Sequence, residues 1–384
     1  MVVTELESPA GPGSGEAYLE TLSNGVLLAW TEVSPEGGHR VATSILGDGG
    51  WSAPAQVVRS DSLFVNWADF PTVVETQPGT LAAHWLVRYP EGGAAYRIVA
   101  AFSTDAGATW SEPWTPHEDG TVTEHGFVSW FGLPGGGSGM AWLDGRDYAA
   151  HKDGSSDDGH AGPQMTLRFR GVGPDGSLGE TLVLDDRVCD CCQTAAAVTG
   201  EGPIVAYRDR SPDEIRDVHV VRWTAEGWAE PVPVHHDGWE IPGCPVNGPA
   251  LAASDRHVTL TWFTGAGGVP RVYTAFSEDA GRTWGEPIQV DEGAPEGRVD
   301  TLLDGDGSAW VVWLERTADG ADVRLRRVTA DGSVGPSVTV AASSEQRASG
   351  FARMAADPSG GILVAWTDPT DPGQVRVARV SGAP

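Results

Sequence analysis

Ser103-Thr104-Asp105-Ala106-Gly107-Ala108-Thr109-Trp110-Ser111-Glu112-Pro113 returns later in the chain as Ser277-Glu278-Asp279-Ala280-Gly281-Arg282-Thr283-Trp284-Gly285-Glu286-Pro287. Both read Ser-x-Asp-x-Gly-x-Thr-Trp. A short carboxylate can bond the backbone of its own turn, and glycine supplies a left-handed position. The tryptophan can pack beside the strand that follows. The motif describes a hairpin turn, so it specifies an architecture and not a reaction.

Worn copies lie elsewhere. Asp48-Gly49-Gly50-Trp51 and Glu226-Gly227-Trp228 keep the tryptophan, whereas Asp175-Gly176-Ser177 and Asp331-Gly332-Ser333 keep only the turn. A second repeat is an apolar strand carrying an aromatic at Trp30, Trp85, Trp142, Tyr207, Trp262, Trp313 and Trp366, spaced by 55, 57, 65, 55, 51 and 53 residues. Periods of this length mark a repeat fold. Each unit reads as four short strands: a small-residue strand (Gln193 to Val198, Val246 to Ala252), the aromatic strand, an alternating strand such as Val323 to Val328, and a strand after the turn. No helical period interrupts them.

The reading is therefore all-β: a seven-bladed β-propeller in one domain spanning residues 1–384. The last unit stops after its third strand, near Val380. Residues 1–8 have no partner in the first unit, so the N-terminal strand is expected to complete the seventh blade and close the ring. The turn motif resembles the Asp-box of the sialidase-like propellers. The resemblance rests on Ser103, Asp105, Gly107, Thr109 and Trp110, repeated as Ser277, Asp279, Gly281, Thr283 and Trp284. It implies a propeller scaffold over most of the chain, with six blades in sialidases against seven units here.

The net charge is −28, and Lys152 is the only lysine. Such a surface repels phosphate backbones and argues against nucleic acid as a partner. Solubility or salt tolerance explains the acidity without a specific acidic-face ligand. No apolar run approaches the ~18 residues of a membrane span. The N-terminus carries no signal-peptide core. The expected destination is secretion or the periplasm in mature form, with the cytoplasm as the alternative.

In a propeller, the loops leading into each blade gather on one axial face, and loops on a rigid scaffold are where function usually sits. On that face the sequence places Asp69, His125, Asp144, Arg208, Asp209, Arg210, Glu240 and Asp300. All four cysteines fall there too: Cys189, Cys191 and Cys192 lead into blade four, and Cys244 leads into blade five. Equivalent loops of adjacent blades are neighbours, so the four sulfurs are expected to form one cluster at the axial mouth. Disulfides or thiol packing are one reading. The other is a thiolate cluster for copper or zinc, completed by His125 or another axial ligand. A redox thiol is a third.

Arg208-Asp209-Arg210, with Asp213 to Asp217 beyond, reads as a mutually satisfied ionic loop or as an Arg-lined anion socket in which Asp209 or Glu214 works as acid/base. The long insertion from Asp144 to Gln164 carries His151, Lys152, Asp153, Asp157, Asp158 and His160. It reads as a solvated loop, with a lid or weak cation site as the alternative. Axial aromatics such as Trp67, Trp130, Phe131 and Trp239 fit either an interaction platform or packing between blades.

The sialidase resemblance would imply three arginines for a substrate carboxylate, a Tyr–Glu nucleophile pair, an Asp acid/base and an early Arg-Ile-Pro. Arg97-Ile98 is followed by Val99, and the last tyrosine, Tyr273, leads into a turn-motif strand. Arg208, Arg298 and Arg353 match a triad by position alone. Sialidase activity is therefore not expected. The leading expectation is a cysteine-centred site for a soft metal, copper first, at the mouth of blades four and five. The alternatives are a glycoside hydrolase or lyase using Asp69, Asp144, Arg208, Asp209, Arg210 and Glu240, or a protein-interaction platform. A small molecule, glycan or metal at the axial face is the ligand in each enzymatic or binding case.

Overall fold

A computed structural model describes residues 1–90, 93, 95–151, 164–370 and 372–382, with only the backbone of 150 and 151. Seven antiparallel sheets follow one another, each with its first strand innermost. The seven aromatics sit on the second strand of successive blades, among them Trp30 on Gly25–Val33, Tyr207 on Gly202–Arg208 and Trp366 on Ile362–Asp368. All seven are buried. Each apolar layer lies between two blades: Trp310 and Leu325 of the sixth pack with Val364 and Trp366 of the seventh. Ala355 and Leu363 of the seventh pack with Leu28 and Trp30 of the first. The core is thus a ring of interfaces, which is why large side chains repeat once per blade.

Val2–Leu6 pairs antiparallel with Gln374–Ser381, in register from Val2 opposite Ser381 to Leu6 opposite Val377. The N-terminal strand is the outer strand of blade seven. Four full strands are not formed everywhere. Blade two has three, Thr72–Gln77, Thr80–Arg88 and Tyr96–Ser103, plus a single bridge of Trp114 to Ala100. Pro113 and Pro116 flank that bridge and cannot donate to a ladder. The outer strands Val232–Pro233 and Ile288–Gln289 are two residues long, again beside prolines.

Both full turn motifs have the same wiring. Asp105 Oδ1 accepts from Ser103 Oγ (2.8 Å) and Thr109 N (2.9 Å), and Gly107 N donates to Ser103 Oγ (2.9 Å). Asp279, Ser277, Thr283 and Gly281 repeat these bonds. Hydrogen bonds from Thr109 hold the Asp105 carboxyl down to about 2. Gly107 and Gly281 have φ of 85° and 80°, as the turn requires, and the preceding Ala106 and Ala280 are left-handed as well.

The axial side of the channel is stitched by side chains that reach from one blade to the backbone of the next. Glu20 accepts from Glu75 N (3.3 Å), Asp69 from Phe127 N (2.8 Å) and Gln193 from Gly248 N (3.1 Å). Asn247 accepts from Arg298 N (2.7 Å), and Asp300 from Met354 N (2.8 Å). Two of these donors, Phe127 and Arg298, sit at inner-strand bulges with φ of 53° and 54°. The bulge turns an N–H out of its own ladder, and the neighbouring blade satisfies it. No helix among the described residues is long and apolar enough to cross a membrane.

Candidate metal centre

The loop 189–194 joins the outer strand of blade three, Leu178–Val188, to the inner strand of blade four, Ala195–Thr199. Cys189 N donates to Arg208 O (3.0 Å), which fixes the loop against the end of the aromatic strand. From there Cys189 Sγ lies 3.3 Å from Cys192 Sγ and 4.0 Å from Cys191 Sγ, and all three sulfurs fall within 4.8 Å of one another. Cys189 and Cys192 are 1% and 2% exposed, and Cys191 is half-buried. Cys244 is exposed and lies outside the compact trio, its thiol interacting with that of Cys191. Of the four sulfurs expected to cluster, three form the compact group. All four are free thiols.

Charge is arranged around Cys189. Arg216 Nη1 donates to its sulfur at 3.3 Å, and Arg216 Nη2 to Glu214 at 2.8 Å. Arg208 is 1% exposed and has all its hydrogen bonds on carbonyls: Asn247, Arg216 and Phe263, at 2.6–3.1 Å. Its guanidinium also stacks 4.8 Å over Trp239. The Cys189 thiol is held well below its ordinary value, first by its hydrogen bonds with Cys191 and Cys192, with Arg208 adding to them. Hydrogen bonding with Cys189 pushes the Cys191 thiol up, and burial pushes Cys192 up to about 12. Contact with Cys191 brings the Cys244 thiol down to about 7. The geometry is a tight trio of sulfurs beneath two buried arginines, an arrangement that favours a thiolate at Cys189.

The remaining candidates belong to other networks. Arg210 forks onto Glu214 (2.8 Å) and reaches Asp190 (3.1 Å), which binds the arginine loop to the cysteine loop. Burial pushes Asp209 up to about 6, and His219 lies 3.9 Å from it. Glu240 is exposed, and its backbone pairs with Ile215. Asp69 is buried, accepts from Tyr96 Oη (2.8 Å) as well as Phe127 N, and is pushed up to about 7 by burial. With Glu20, Asp300 and Arg353 it lines the central channel, a cavity of 390 Å³.

His125 is not beside the sulfurs. Its Nε2 meets Asp119 (3.1 Å) and Asp144 (3.5 Å), and its ring stacks on His117 at 3.8 Å with an interplanar angle of 3°. Asp144, 0% exposed, is gripped by Arg146 and by Trp142 Nε1 (2.9 Å). Burial raises its carboxyl, but those bonds outweigh it and the net direction is down. His117, Asp119 and His125 are close enough to suggest a metal site. Parallel rings at this separation, however, cannot aim two in-plane lone pairs at one ion. Both histidines converge instead on Asp119, whose carboxyl they hold far down despite its burial. Sequence reading missed His117 and Asp119, because they follow a turn motif in a stretch with no periodic signal. Of the insertion, Lys152, Asp153, Asp157, Asp158 and His160 lie outside the described residues, as does the side chain of His151.

Comparison with protein families and with curated proteins returns no match. Solved structures do match in fold. A protein of unknown function from Dyadobacter fermentans has a TM-score of 0.57 at 15% identity, over 83% of this chain and 97% of that one. An α-L-arabinofuranosidase of Fusarium graminearum has a TM-score of 0.57 at 13% identity, over 98% and 97%. A polysaccharide lyase has a TM-score of 0.55 at 10% identity, over 95% and 90%. Likeness at this identity defines the fold, a β-propeller, and leaves the chemistry to the site.

Proposed function

We propose that this chain is an Asp-box propeller whose axial mouth at blades four and five binds a soft metal ion, Cu(I) before Zn(II). The observation that carries the reading is the trio Cys189, Cys191 and Cys192, with all three sulfurs inside 4.8 Å. A sulfur-only donor set selects Cu(I) or Zn(II). Zn(II) almost always takes four ligands in structural sites, whereas the compact group offers three, a number that suits Cu(I). Several thiolates around one monovalent ion leave net negative charge. Arg208 and Arg216, both buried, stand where that charge would be offset.

The test is anaerobic titration of fully reduced protein with Cu(I) against a chromophoric chelator. One ion per chain is expected, with retention lost in Cys189→Ser and Cys192→Ser. Failure of the wild type to hold Cu(I) against the chelator, or equal retention in both variants, overturns the reading.

A second reading, cleavage of a glycan at the axial face, draws on Asp69, a carboxyl raised to about 7 beside the channel cavity and so poised to act as an acid. Turnover of arabinan oligosaccharides that disappears in Asp69→Asn would establish it.

A further inference from the structure

The four sulfurs do not share one environment; they form a graded series. Cys192 and Cys189 are sealed, 3.3 Å apart. Cys191, 4.0 Å from Cys189, is half-buried. Cys244 interacts with the Cys191 thiol from outside the trio and is exposed. The last sulfur comes from a different blade, on a loop that Ile241 N anchors to Glu214 O (3.0 Å). Pro245 follows Cys244 and restricts its backbone to extended forms. A bulky donor molecule cannot reach sulfurs that are 1–2% exposed, but it can reach Cys244.

Resting on the binding reading above, we infer that Cys244 is the loading ligand: it accepts Cu(I) from a thiol-bearing donor and passes it to Cys191, where Cys189 and Cys192 complete the three-sulfur site. Each step is a ligand exchange with no change in oxidation state. The bond from Cu(I) to the donor sulfur breaks as the bond to Cys244 forms, and the donor thiolate takes up the proton that Cys244 releases. The same exchange then repeats between Cys244 and Cys191. Thiol donors too large to reach the sealed sulfurs are the partner class, since the receiving sulfur stands on an open loop and the holding sulfurs do not.

The experiment is stopped-flow loading of the reduced, metal-free protein from the Cu(I)–glutathione complex, paired with equilibrium competition by a chelator. Cys244→Ser should load at least tenfold more slowly while equilibrium affinity changes less than threefold, and Cys244→Met, which keeps a soft donor, should recover most of the rate. An unchanged loading rate in Cys244→Ser overturns this inference and leaves the binding reading intact. A loss of affinity matching the loss of rate also overturns it, because Cys244 would then be a holding ligand. A wild type that takes up no Cu(I) overturns the binding reading itself.

Discussion

Arg216 donates from Nη1 to the Cys189 sulfur at 3.3 Å, and both residues are almost fully buried. The contact joins the loop after the aromatic strand of blade four to the loop that leads into that blade. A guanidinium in this position favours the thiolate over the thiol. Arg216→Gln should therefore move the Cys189 thiol back up toward its ordinary value, read as loss of thiolate absorbance at neutral pH. Cu(I) affinity should fall by about 10–100-fold, as for other outer-sphere partners of metal ligands. Unchanged absorbance and affinity would show that the arginine only braces Glu214.

The same thiolate predicts a pH dependence for the metal-free protein. A group whose folded value lies below its unfolded value adds stability that is complete above the unfolded value, near 9 for a thiol. That stability is lost as pH falls through the folded value. Cys189→Ser should remove this component, so the melting temperatures of variant and wild type should converge as pH is lowered from 9. A gap that widens on acidification would contradict the assignment.

Asp69 has the opposite sign. Burial raises it to about 7, so its contribution is complete below the unfolded carboxylate value near 4 and is lost as pH rises through 7. Asp69→Asn keeps an acceptor for Phe127 N and a partner for Tyr96 while removing the ionisation. Melting temperature should decline less between pH 4 and 8 in the variant than in the wild type. Parallel curves would place the titration elsewhere in the channel, where Glu20 is also raised, to about 8.

Much of this was legible in the sequence, for a physical reason. Each blade needs one large aromatic between sheets and one tight turn, so Trp30 through Trp366 and the Asp105 and Asp279 turns keep a period that survives without close relatives. The cysteine trio was legible because Cys189, Cys191 and Cys192 share one short leading loop. The fates of Asp69 and Asp300 were not, because a carboxylate that latches a neighbouring blade and one that faces a ligand look alike in a leading loop. For Asp69 only the bulge at Phe127, which leaves an N–H to be satisfied, separates the two uses, and Asp300 latches Met354 N where the ladder is regular. His125 misled for a related reason: its position on the inner strand is axial, but its ring turns toward Asp119 and Asp144.

The latch series makes a stability prediction at Asn247. Its side chain accepts from Arg298 N at 2.7 Å and is 8% exposed, so Asn247→Ala leaves a buried N–H without a partner. The cost should be about 1–3 kcal/mol. Its backbone carbonyl still holds Arg208, so Cu(I) affinity should change little. Denaturant unfolding paired with metal competition checks both halves, and a variant as stable as the wild type would show that another group relieves the bulge.

Ring closure can be tested by removing residues 1–6. Val2–Leu6 covers the outer edge of Gln374–Ser381, and Val3 packs against the layer that holds Trp310 and Trp366. Without it, blade seven exposes an unpaired strand, a template for pairing between molecules. The truncated chain should melt about 1–3 °C lower, the shift expected when a domain of this length loses about 1–2 kcal/mol. It should also aggregate at concentrations where the full chain stays monodisperse, as followed by light scattering. Supplying the six-residue segment as a free peptide should partly restore both properties, because the register is fixed by the strand it rejoins. A truncated chain with unchanged melting and scattering would mean that the interfaces between blades hold the ring closed without this strand.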